Sequence, residues 1–476
     1  MFKGGYSSMI STSLVDFKER LAEDYDLIAR AIAAKSVGVM LGAIIAGCLN
    51  DRFTKHGDLI MAGTLFIASL SVASKPWVTS IVPLGALYTV EGLAHGGMSA
   101  VGNAMCLQLW QEKANTPIHA LHFGFGLGSV ISPQVTRPFL SLIVRNGTLM
   151  NPNSTELEDH GLNSTSMVVL RPSRIEIPYF IVGGVVFLMG MAFVAFQFVY
   201  TSGRPGSPDV DNEDAQTTLS DVKSIFFSRS AKRLDVIILT QVFFFYFFLY
   251  GGTNPVDTFL FTYAVESDLG FTKDEAAYLD SAYWASFTVG RFISAVVAHW
   301  VSVNYMIFFE VFASAGVLAF LSFKAVETKT LLWVFSCLYS AASAPLFPSG
   351  TAWADRYIKV SGIIIAVFDV GFGVAGFIFQ SLAGHLFTRY NPNSLLYLSL
   401  GSAVVLCLLM ISMKLVGGCQ GDRHRRQRYQ NEQVKKMREF TPVPTWRTRT
   451  KFRNCHIRKL KCVDSQEIQG NAEGGS

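Results

Sequence analysis

Hydrophobic residues along the chain are grouped into long blocks that short polar segments separate. Residues 177–203 contain no Asp, Glu, Lys or Arg, and the same holds for 236–256, 330–354 and 390–413. A bilayer core requires about 20 apolar residues in an α-helix, because every backbone N–H and C=O must be hydrogen-bonded within the segment. The alternation that is typical of membrane β-barrel strands is absent from these blocks. The pattern therefore predicts an all-α, polytopic membrane protein.

The blocks predict 11 transmembrane helices. They lie roughly at 31–50, 58–74, 80–103, 117–143, 176–200, 235–262, 276–298, 304–323, 330–351, 361–383 and 394–415. Residues 1–30 contain no apolar run long enough to span a membrane. We therefore expect Met1 to Ile10 to be at most the remnant of a span.

The spans divide into two groups at residues 201–234, a polar segment rich in Pro and Gly that predicts a flexible linker. Five spans precede the linker and six follow it. Two halves of six spans are typical of transporters built from repeats, so the first span is expected to be missing. The predicted organisation is a remnant of the first span with an extracellular loop at 1–30, an N-terminal transmembrane half at 31–200, a cytoplasmic linker at 201–234, a C-terminal transmembrane half at 235–416 and a basic cytoplasmic tail at 417–476.

Charge and glycosylation motifs predict the same orientation. Basic residues at 52, 55 and 113, in the linker and throughout the tail fall on one side, which is expected to be cytoplasmic. The sequons at Asn146, Asn153 and Asn163 all fall in the loop 144–175 on the other side, where glycosylation is possible. Chance occurrence in an Asn- and Ser-rich loop is the alternative. The expected location is the plasma membrane.

Composition excludes several other classes of protein. Only 16% of the residues are charged, whereas soluble domains carry about a quarter. The basic excess lies in the tail, where it favours contact with anionic lipid over binding of nucleic acid. None of the seven cysteines lies in a segment predicted to be extracellular, so no disulfide framework is indicated. No P-loop, zinc-protease motif or nucleophile elbow is present, so neither an enzyme nor a cofactor is expected, apart from a co-transported Na⁺.

A polar turn follows the first predicted span. It begins at Gly47 and continues through Asp51 and Arg52 to Lys55 and His56. The turn resembles the signature between the second and third spans of the major facilitator superfamily, with Thr54 in place of the usual second Gly. The resemblance implies a gating role for Asp51 and Arg52, with a carboxylate near a helix N-terminus and an Arg that pairs across the half. The alternative is a basic turn that only fixes topology.

Five short segments carry a narrower resemblance from about Ser13 onward. They are Gly102 to Trp110, Ala120 to Pro133, Tyr250 to Ala264, Phe347 to Trp353, and Tyr357 to Gly362. These segments resemble the sodium-dependent glucose transporter-like family, which is related to bacterial fucose permeases. The resemblance implies uptake of a hexose-like sugar, either facilitated or coupled to sodium. Relatives place a carboxylate four residues before Asn103. This chain has Ser99 at that position, and the carboxylate of the same predicted helix is Glu91, two turns away.

Polar residues inside the predicted spans are the candidate site residues, because a charge in the bilayer normally faces a cavity or a partner. A sugar requires hydrogen-bonding groups for its hydroxyls and an aromatic face for its C–H edge. The candidates for binding the solute are Asn103, Asn254, Asp257, Asp280, Tyr283, Trp284 and Trp353. The candidates for coupling or gating are Glu91, Asp51, Arg52, Arg291 and Asp369.

Local backbone breaks and helix faces support this choice. Gly251-Gly252 predicts local unwinding just before Asn254 and Asp257, and Phe347 to Gly350 predicts a break before Trp353. Asp280, Tyr283 and Trp284 share one helix face at helical spacing, although packing between helices explains that face equally well. Trp353 also fits an interfacial position.

Two functions remain open from the sequence. The first is a secondary transporter that moves a small polar solute, in particular a hexose-like sugar, by alternating access. The second is a transport-inactive membrane protein of the same fold, truncated or regulatory, which the missing first span and Ser99 favour. The sequence does not specify the solute, the ion or the stoichiometry.

Overall fold

The computed structural model describes residues 2–110, 115–145, 167–200, 233–324, 327–358 and 362–420. The expected glycosylation sites Asn146, Asn153 and Asn163, most of the linker and the tail beyond Gln420 lie outside these residues. The described helices are α1 (Phe2–Leu21), α2 (Tyr25–Arg52), α3 (Gly57–Ser74), α4 (Ile81–Trp110), α5 (Asn115–Thr136), α6 (Glu176–Tyr200), α7 (Arg233–Glu266), α8 (Lys273–Val297), α9 (Val303–Phe323), α10 (Lys329–Ser343), α11 (Leu346–Tyr357), α12 (Gly362–Arg389) and α13 (Ser394–Gln420).

The all-α membrane architecture predicted from the sequence is confirmed. Each of the 11 predicted spans corresponds to a helix, and the span at 330–351 corresponds to the pair α10 and α11. In the described part of the chain, eight helical segments are long and apolar enough to cross a membrane. Helices α1, α4, α5 and α8 are not among them. Three of these four helices carry charged residues that the protein buries, which lowers their hydropathy.

The N-terminal end of the chain differs from the prediction. Residues 2–21 form helix α1, where only the remnant of a span was expected. A helix of 20 residues is about 30 Å long, which matches the thickness of a bilayer core. Helix α1 packs against α5, α6, α7 and α8, and most of its residues from Ser8 to Phe17 are buried. Because protein surrounds this helix, it needs no continuous apolar face, and a search for apolar runs does not find it.

The two halves pack together mainly through three helix pairs, and α1 also contacts α8. Helix α2 packs on α12, α5 on α8, and α1 on α7. Within the halves, α2 packs on α4 and α3 on α6, while α7 packs on α12 and α13. The helices that meet between the halves therefore come from both ends of the sequence.

Helix α5 ends earlier than the predicted span 117–143. The chain leaves the helix at Thr136 and forms the antiparallel strands β1 (Leu142–Arg145) and β2 (Met167–Arg171). The end of the bundle that carries this hairpin is called the hairpin face below. The turn between α1 and α2 and the turn between α7 and α8 lie at the same face, because successive helices alternate in direction.

Two local backbone predictions were wrong. Helix α7 continues through Gly251 and Gly252 without unwinding. A Cβ added at Gly251 would lie 2.6 Å from the Phe379 ring of α12, so this glycine allows close packing of two helices.

The second prediction placed a break at Phe347 to Gly350, but the break lies at Ala344 and Pro345, between α10 and α11. Arg291 of α8 donates from Nε to the carbonyl of Ala344 at 3.2 Å. Arg291, a predicted coupling or gating residue, therefore satisfies a carbonyl at the break in this structure.

Candidate functional site

A buried ion cluster occupies the middle of the N-terminal half. Glu91 of α4 has no exposed surface, and its carboxylate lies 2.6 Å from the ammonium of Lys35 on α2. Lys75, which is also fully buried, forms a second ion pair with the same carboxylate. An uncompensated buried charge costs several kcal/mol or more, so these groups stabilise one another. Glu91, a predicted coupling residue, is therefore already neutralised by protein cations.

Polar groups of α1 and α4 extend this cluster toward the other half. Lys35 Nζ donates to Ser7 Oγ at 3.4 Å, and the hydroxyl of Tyr6 lies 3.4 Å from Nδ1 of His95. Sequence reasoning missed all four of these residues. A signal was available for Lys35, since it is a charge inside the predicted span 31–50. No signal marked α1, which was not recognised as a helix.

The C-terminal half places a carboxylate and a phenol in direct contact. The Tyr283 hydroxyl of α8 donates to Asp257 Oδ1 of α7 at 2.5 Å. The carbonyl of Tyr283 accepts from the Ser340 hydroxyl of α10 at 2.7 Å, which fixes the position of α8. Asp257 and Tyr283 were both predicted site residues, and the structure brings them together.

Asn254 lies one turn before Asp257 on the same face of α7. Its amide nitrogen donates to Gln380 Oε1 of α12 at 2.9 Å. Gln380 is almost fully buried, and its own amide nitrogen has no hydrogen-bond partner. The pair therefore keeps an unused donor near Asp257, as a site for hydroxyl groups requires.

Asp280 of α8 lies at the contact between the halves. It has no exposed surface, and neither of its carboxylate oxygens has a hydrogen-bond partner. Ser11 of α1 and Trp284, one turn further along α8, are polar neighbours that interact with its carboxylate. The Ser11 hydroxyl and the Trp284 indole nitrogen are also buried without partners.

Trp284 does not offer an open stacking face. It is 7% exposed, and the rings of Phe125, Tyr283 and Phe287 pack edge-on around it with centroids 5.4 to 6.2 Å away. Packing between helices, the alternative that the sequence left open, accounts for Trp284 in this conformation.

Trp353, which the sequence suggested for solute binding, also lies away from the polar groups. It is 1% exposed in an apolar cluster formed mainly by α7, α11 and α13. The nearest ring is that of Tyr357, at 4.7 Å. Trp353 is therefore a packing residue in this structure, because its helix begins at Leu346 and turns it toward α13.

The remaining predicted residues are dispersed. Asp369 of α12 lies close enough to Lys3 of α1 for an electrostatic interaction between the halves. Asn103 of α4 is partly buried, and its carbonyl oxygen has no partner. Arg52 ends α2 and lies over the ring of Phe53, at 5.9 Å. The side chain of Asp51 is outside the described set, and the carboxylate in the first turn of α3 belongs to Asp58.

The polar groups of the two halves approach each other at Gly376 of α12. A Cβ added there would lie 2.4 Å from Ser36 Oγ of α2 and 2.8 Å from the Tyr250 ring of α7. Ser36 follows Lys35, and Tyr250 lies two turns before Asp257. The candidate site is therefore the region between Lys35, Ser7 and His95 on one side and Tyr250, Asn254 and Asp257 on the other.

Ion pairs fasten the halves together at the hairpin face. Lys273 of α8 lies 2.7 Å from Asp16 and 2.9 Å from Glu19, both on α1. Glu266 at the end of α7 accepts from the hydroxyl of Tyr25 at 2.6 Å. The group of Lys273, Asp16 and Glu19 is called the α1–α8 latch below.

Known proteins resemble this chain over most of its length. A family model described as Major Facilitator Superfamily matches residues 4–380. Sodium-dependent glucose transporter 1 of Xenopus laevis is 23% identical over 429 residues, which cover 89% of this chain and 82% of the relative. The protein of the same name from Homo sapiens is 22% identical over 439 residues, covering 90% and 80%. The xylose transporter XylE from E. coli, in a partially occluded inward-open conformation, has a TM-score of 0.62 at 13% identity, covering 86% of this chain and 96% of that one.

Proposed function

Because the chain belongs to the Major Facilitator Superfamily, and so is a transporter rather than an enzyme, we propose that it carries a hexose-like sugar by alternating access. The names of its relatives support glucose as the type of solute and sodium as the coupled ion. The two halves rock around a site near the middle of the membrane, which is the general mode of action of this architecture.

The pairing of Asp257 with Tyr283 is the observation that carries the proposal. A partly buried carboxylate with a phenol at 2.5 Å offers strong acceptors for sugar hydroxyls. Asn254 and Gln380 add amide groups on the same side. Across the interface, Ser7 and His95 supply further hydroxyl and imidazole groups. These groups are hydrogen-bonded in separate pairs, and the Gln380 amide nitrogen has no partner among the described residues, so they suit the hydroxyl groups of an uncharged solute.

Aromatic surface lies next to these groups. The Tyr250 ring is partly exposed and packs 4.6 Å from the ring of Phe372, centroid to centroid. The C–H edge of a pyranose packs favourably on such a ring. Tyr250 therefore takes the stacking role that the sequence suggested for Trp284.

Binding of labelled hexose to the purified protein tests the proposal. We expect saturable binding that unlabelled hexose displaces, and we expect Asp257→Asn to weaken it. Asp268→Asn, in the exposed turn after α7, is the matched control and should bind as the original protein does. Unchanged affinity in Asp257→Asn with full hexose binding would move the site away from α7.

The hairpin face is proposed to be extracellular and the tail cytoplasmic, in the plasma membrane. Basic residues and sequons on opposite sides of the chain support this orientation. Treatment of protein from mammalian cells with an N-glycosidase should therefore increase its mobility, and Asn146→Gln, Asn153→Gln and Asn163→Gln together should abolish that shift. A tail that proteases reach only from outside the cell would contradict the orientation.

The transport-inactive alternative rests on two sequence features, the expected absence of the first span and Ser99. Helix α1 occupies residues 2–21, where the sequence suggested a missing span. Ser99, the second support, bears only on coupling through α4. Another buried carboxylate is available for coupling on α8.

A further inference from the structure

We propose that Asp280 and Ser11 form the site at which the coupled monovalent cation binds, between the two halves. This inference rests on the proposed transport function and adds to it the place of coupling. The cation is either Na⁺ or a proton, since each places one positive charge against the buried carboxylate. Asp280 is thereby assigned to the cation rather than to the solute.

The unpaired state of Asp280 is the first observation. Its side chain has no exposed surface, and among the described residues neither carboxylate oxygen has an ion pair or a hydrogen bond of normal geometry. A carboxylate transferred unpaired into a medium of low dielectric constant is strongly destabilised, and protons or ions that neutralise it are bound instead. The position therefore favours occupation by a cation.

The neighbours of Asp280 provide the second observation. The Ser11 hydroxyl is 2% exposed and lies beside the carboxylate, where its oxygen lone pairs are available to coordinate a cation. The indole N–H of Trp284 lies beside the carboxylate as well. Two buried polar groups, one from α1 and one from α8, thus lie beside the Asp280 carboxylate, and neither carries a charge that would compensate it.

Other buried carboxylates in the described bundle are already compensated. Glu91 pairs with Lys35 and Lys75, and Asp16 pairs with Lys273. Asp257 accepts from Tyr283. Glu310 of α9 accepts from Ser294 Oγ at 3.1 Å. Among the described residues Asp280 has no ion pair and no hydrogen bond of normal geometry, and its neighbours Ser11 and Trp284 are uncharged.

The charged and titratable groups around Asp280 are few. Helix α7 contributes Asp257, which adds negative charge and favours a cation. Tyr339 of α10 interacts with Tyr283, Asp16 of α1 pairs with Lys273, and Arg137 in the turn after α5 pairs with Asp274. On α8 itself, Lys273 and Glu275 lie at the hairpin end and Arg291 lies three turns beyond Asp280.

Helix α5 completes this environment. The amide nitrogen of its residue Gln134 donates to Ser281 Oγ at 2.8 Å. Because Ser281 follows Asp280, Gln134 lies at the same height along the helix bundle as Asp280. The histidines of α5, His119 and His122, precede Gln134 by 12 residues or more, which is about 18 Å along a helix. A response to pH at this level is therefore assigned to the carboxylates Asp280 and Asp257, which Asp280→Asn distinguishes.

The location between halves explains how a cation would be coupled to transport. Ser11 belongs to the first half and Asp280 to the second, so both approach a bound ion only when the halves are together at this level. Without the ion, closure buries an unpaired carboxylate, which is unfavourable. Binding of the ion and closure around the solute therefore favour each other, and the coupling is reciprocal.

Trp284 provides a direct optical test. The probe is the fluorescence of the purified full chain minus that of Trp284→Phe, titrated with NaCl against choline chloride at constant pH, and separately with pH at constant Na⁺. We expect a saturable change in one titration. A response to Na⁺ identifies sodium as the cation, and a response to pH alone identifies a proton.

Variants of the site decide the outcome. Asp280→Asn should abolish the response, and Ser11→Ala should raise the Na⁺ concentration at half-saturation several-fold or shift the pH midpoint. Glu310→Gln, which alters a buried carboxylate outside the site, should leave the response unchanged. A response retained in Asp280→Asn, or the absence of any response in the original chain, would overturn the inference. Loss of hexose binding with an intact cation response would refute the sugar proposal alone.

Discussion

At the scale of single residues, the polar groups inside the helices show which predictions a sequence can support. Asp257, Asp280 and Tyr283 were recognised because each is a polar group within a predicted span. The contact of Asp257 with Tyr283 and the lack of a partner at Asp280 depend on three-dimensional packing. Lys35 and Ser11 contribute from helices α2 and α1, and no spacing in the sequence connects them with Glu91 or Asp280.

The Tyr283 hydroxyl gives a residue-scale prediction. Tyr283→Phe removes one hydrogen bond to Asp257 while keeping the ring, and a hydrogen bond to a charged group is worth about 1.5–3 kcal/mol. We expect weaker hexose binding, because the carboxylate loses the partner that holds it toward the site. Tyr278→Phe, on the more exposed part of the same helix, is the matched control. Equal affinity in the two variants, measured by labelled-hexose binding, would contradict a role for this contact.

At the scale of elements, long apolar blocks predicted the helices well. A helix that carries polar residues into the interior of the bundle was not predicted from such blocks. The 11 blocks all became helices, since each must satisfy its own backbone within the bilayer. Helix α1 was not predicted as a span because its apolar run is interrupted by polar residues that the rest of the bundle buries. These residues are Ser8, Ser11, Ser13 and Asp16. The break between α10 and α11 was misplaced by a few residues, because Pro345 and Pro348 are both compatible with a break in sequence.

Packing of α7 on α12 gives a prediction at this scale. In Gly251→Ala the new methyl group would lie 2.6 Å from the Phe379 ring, whereas in Gly252→Ala it would lie 3.4 Å from the Ser399 carbonyl oxygen. Overpacking of this kind typically costs about 1–3 kcal/mol. We expect Gly251→Ala to lower the thermal unfolding temperature more than Gly252→Ala. Equal effects would indicate that α7 unwinds at the two glycines, as the sequence first suggested.

At the scale of the whole molecule, the sequence predicts two halves, but it does not predict the contacts between them. The linker and the block count separated the halves, whereas the α1–α8 latch joins residues more than 250 positions apart, such as Asp16 and Lys273. Alternating access requires these contacts to break when the hairpin face opens. The latch therefore belongs to one of the conformations through which the transporter passes.

Lys273→Met tests the role of the latch. The substitution leaves Asp16 buried without its cation, and opening of the hairpin face would rehydrate it. In a cysteine-free background with Ser281→Cys, we expect a membrane-impermeant thiol reagent applied at the hairpin face to react several-fold faster. Lys324→Met breaks an exposed pair with Glu327 within the second half and is the control. Equal labelling rates in both variants would show that the latch does not hold the halves together.

Uptake of labelled hexose into liposomes containing the purified protein tests the central claim most directly. The account predicts saturable uptake that unlabelled hexose inhibits, and accumulation above equilibrium when an inward cation gradient is imposed. Asp257→Asn should reduce uptake at low hexose concentration, while Asp268→Asn should not. Uptake equal to that of empty liposomes, from protein with an intact fold and in the presence of Na⁺ and proton gradients, would contradict the proposal that this chain transports a hexose.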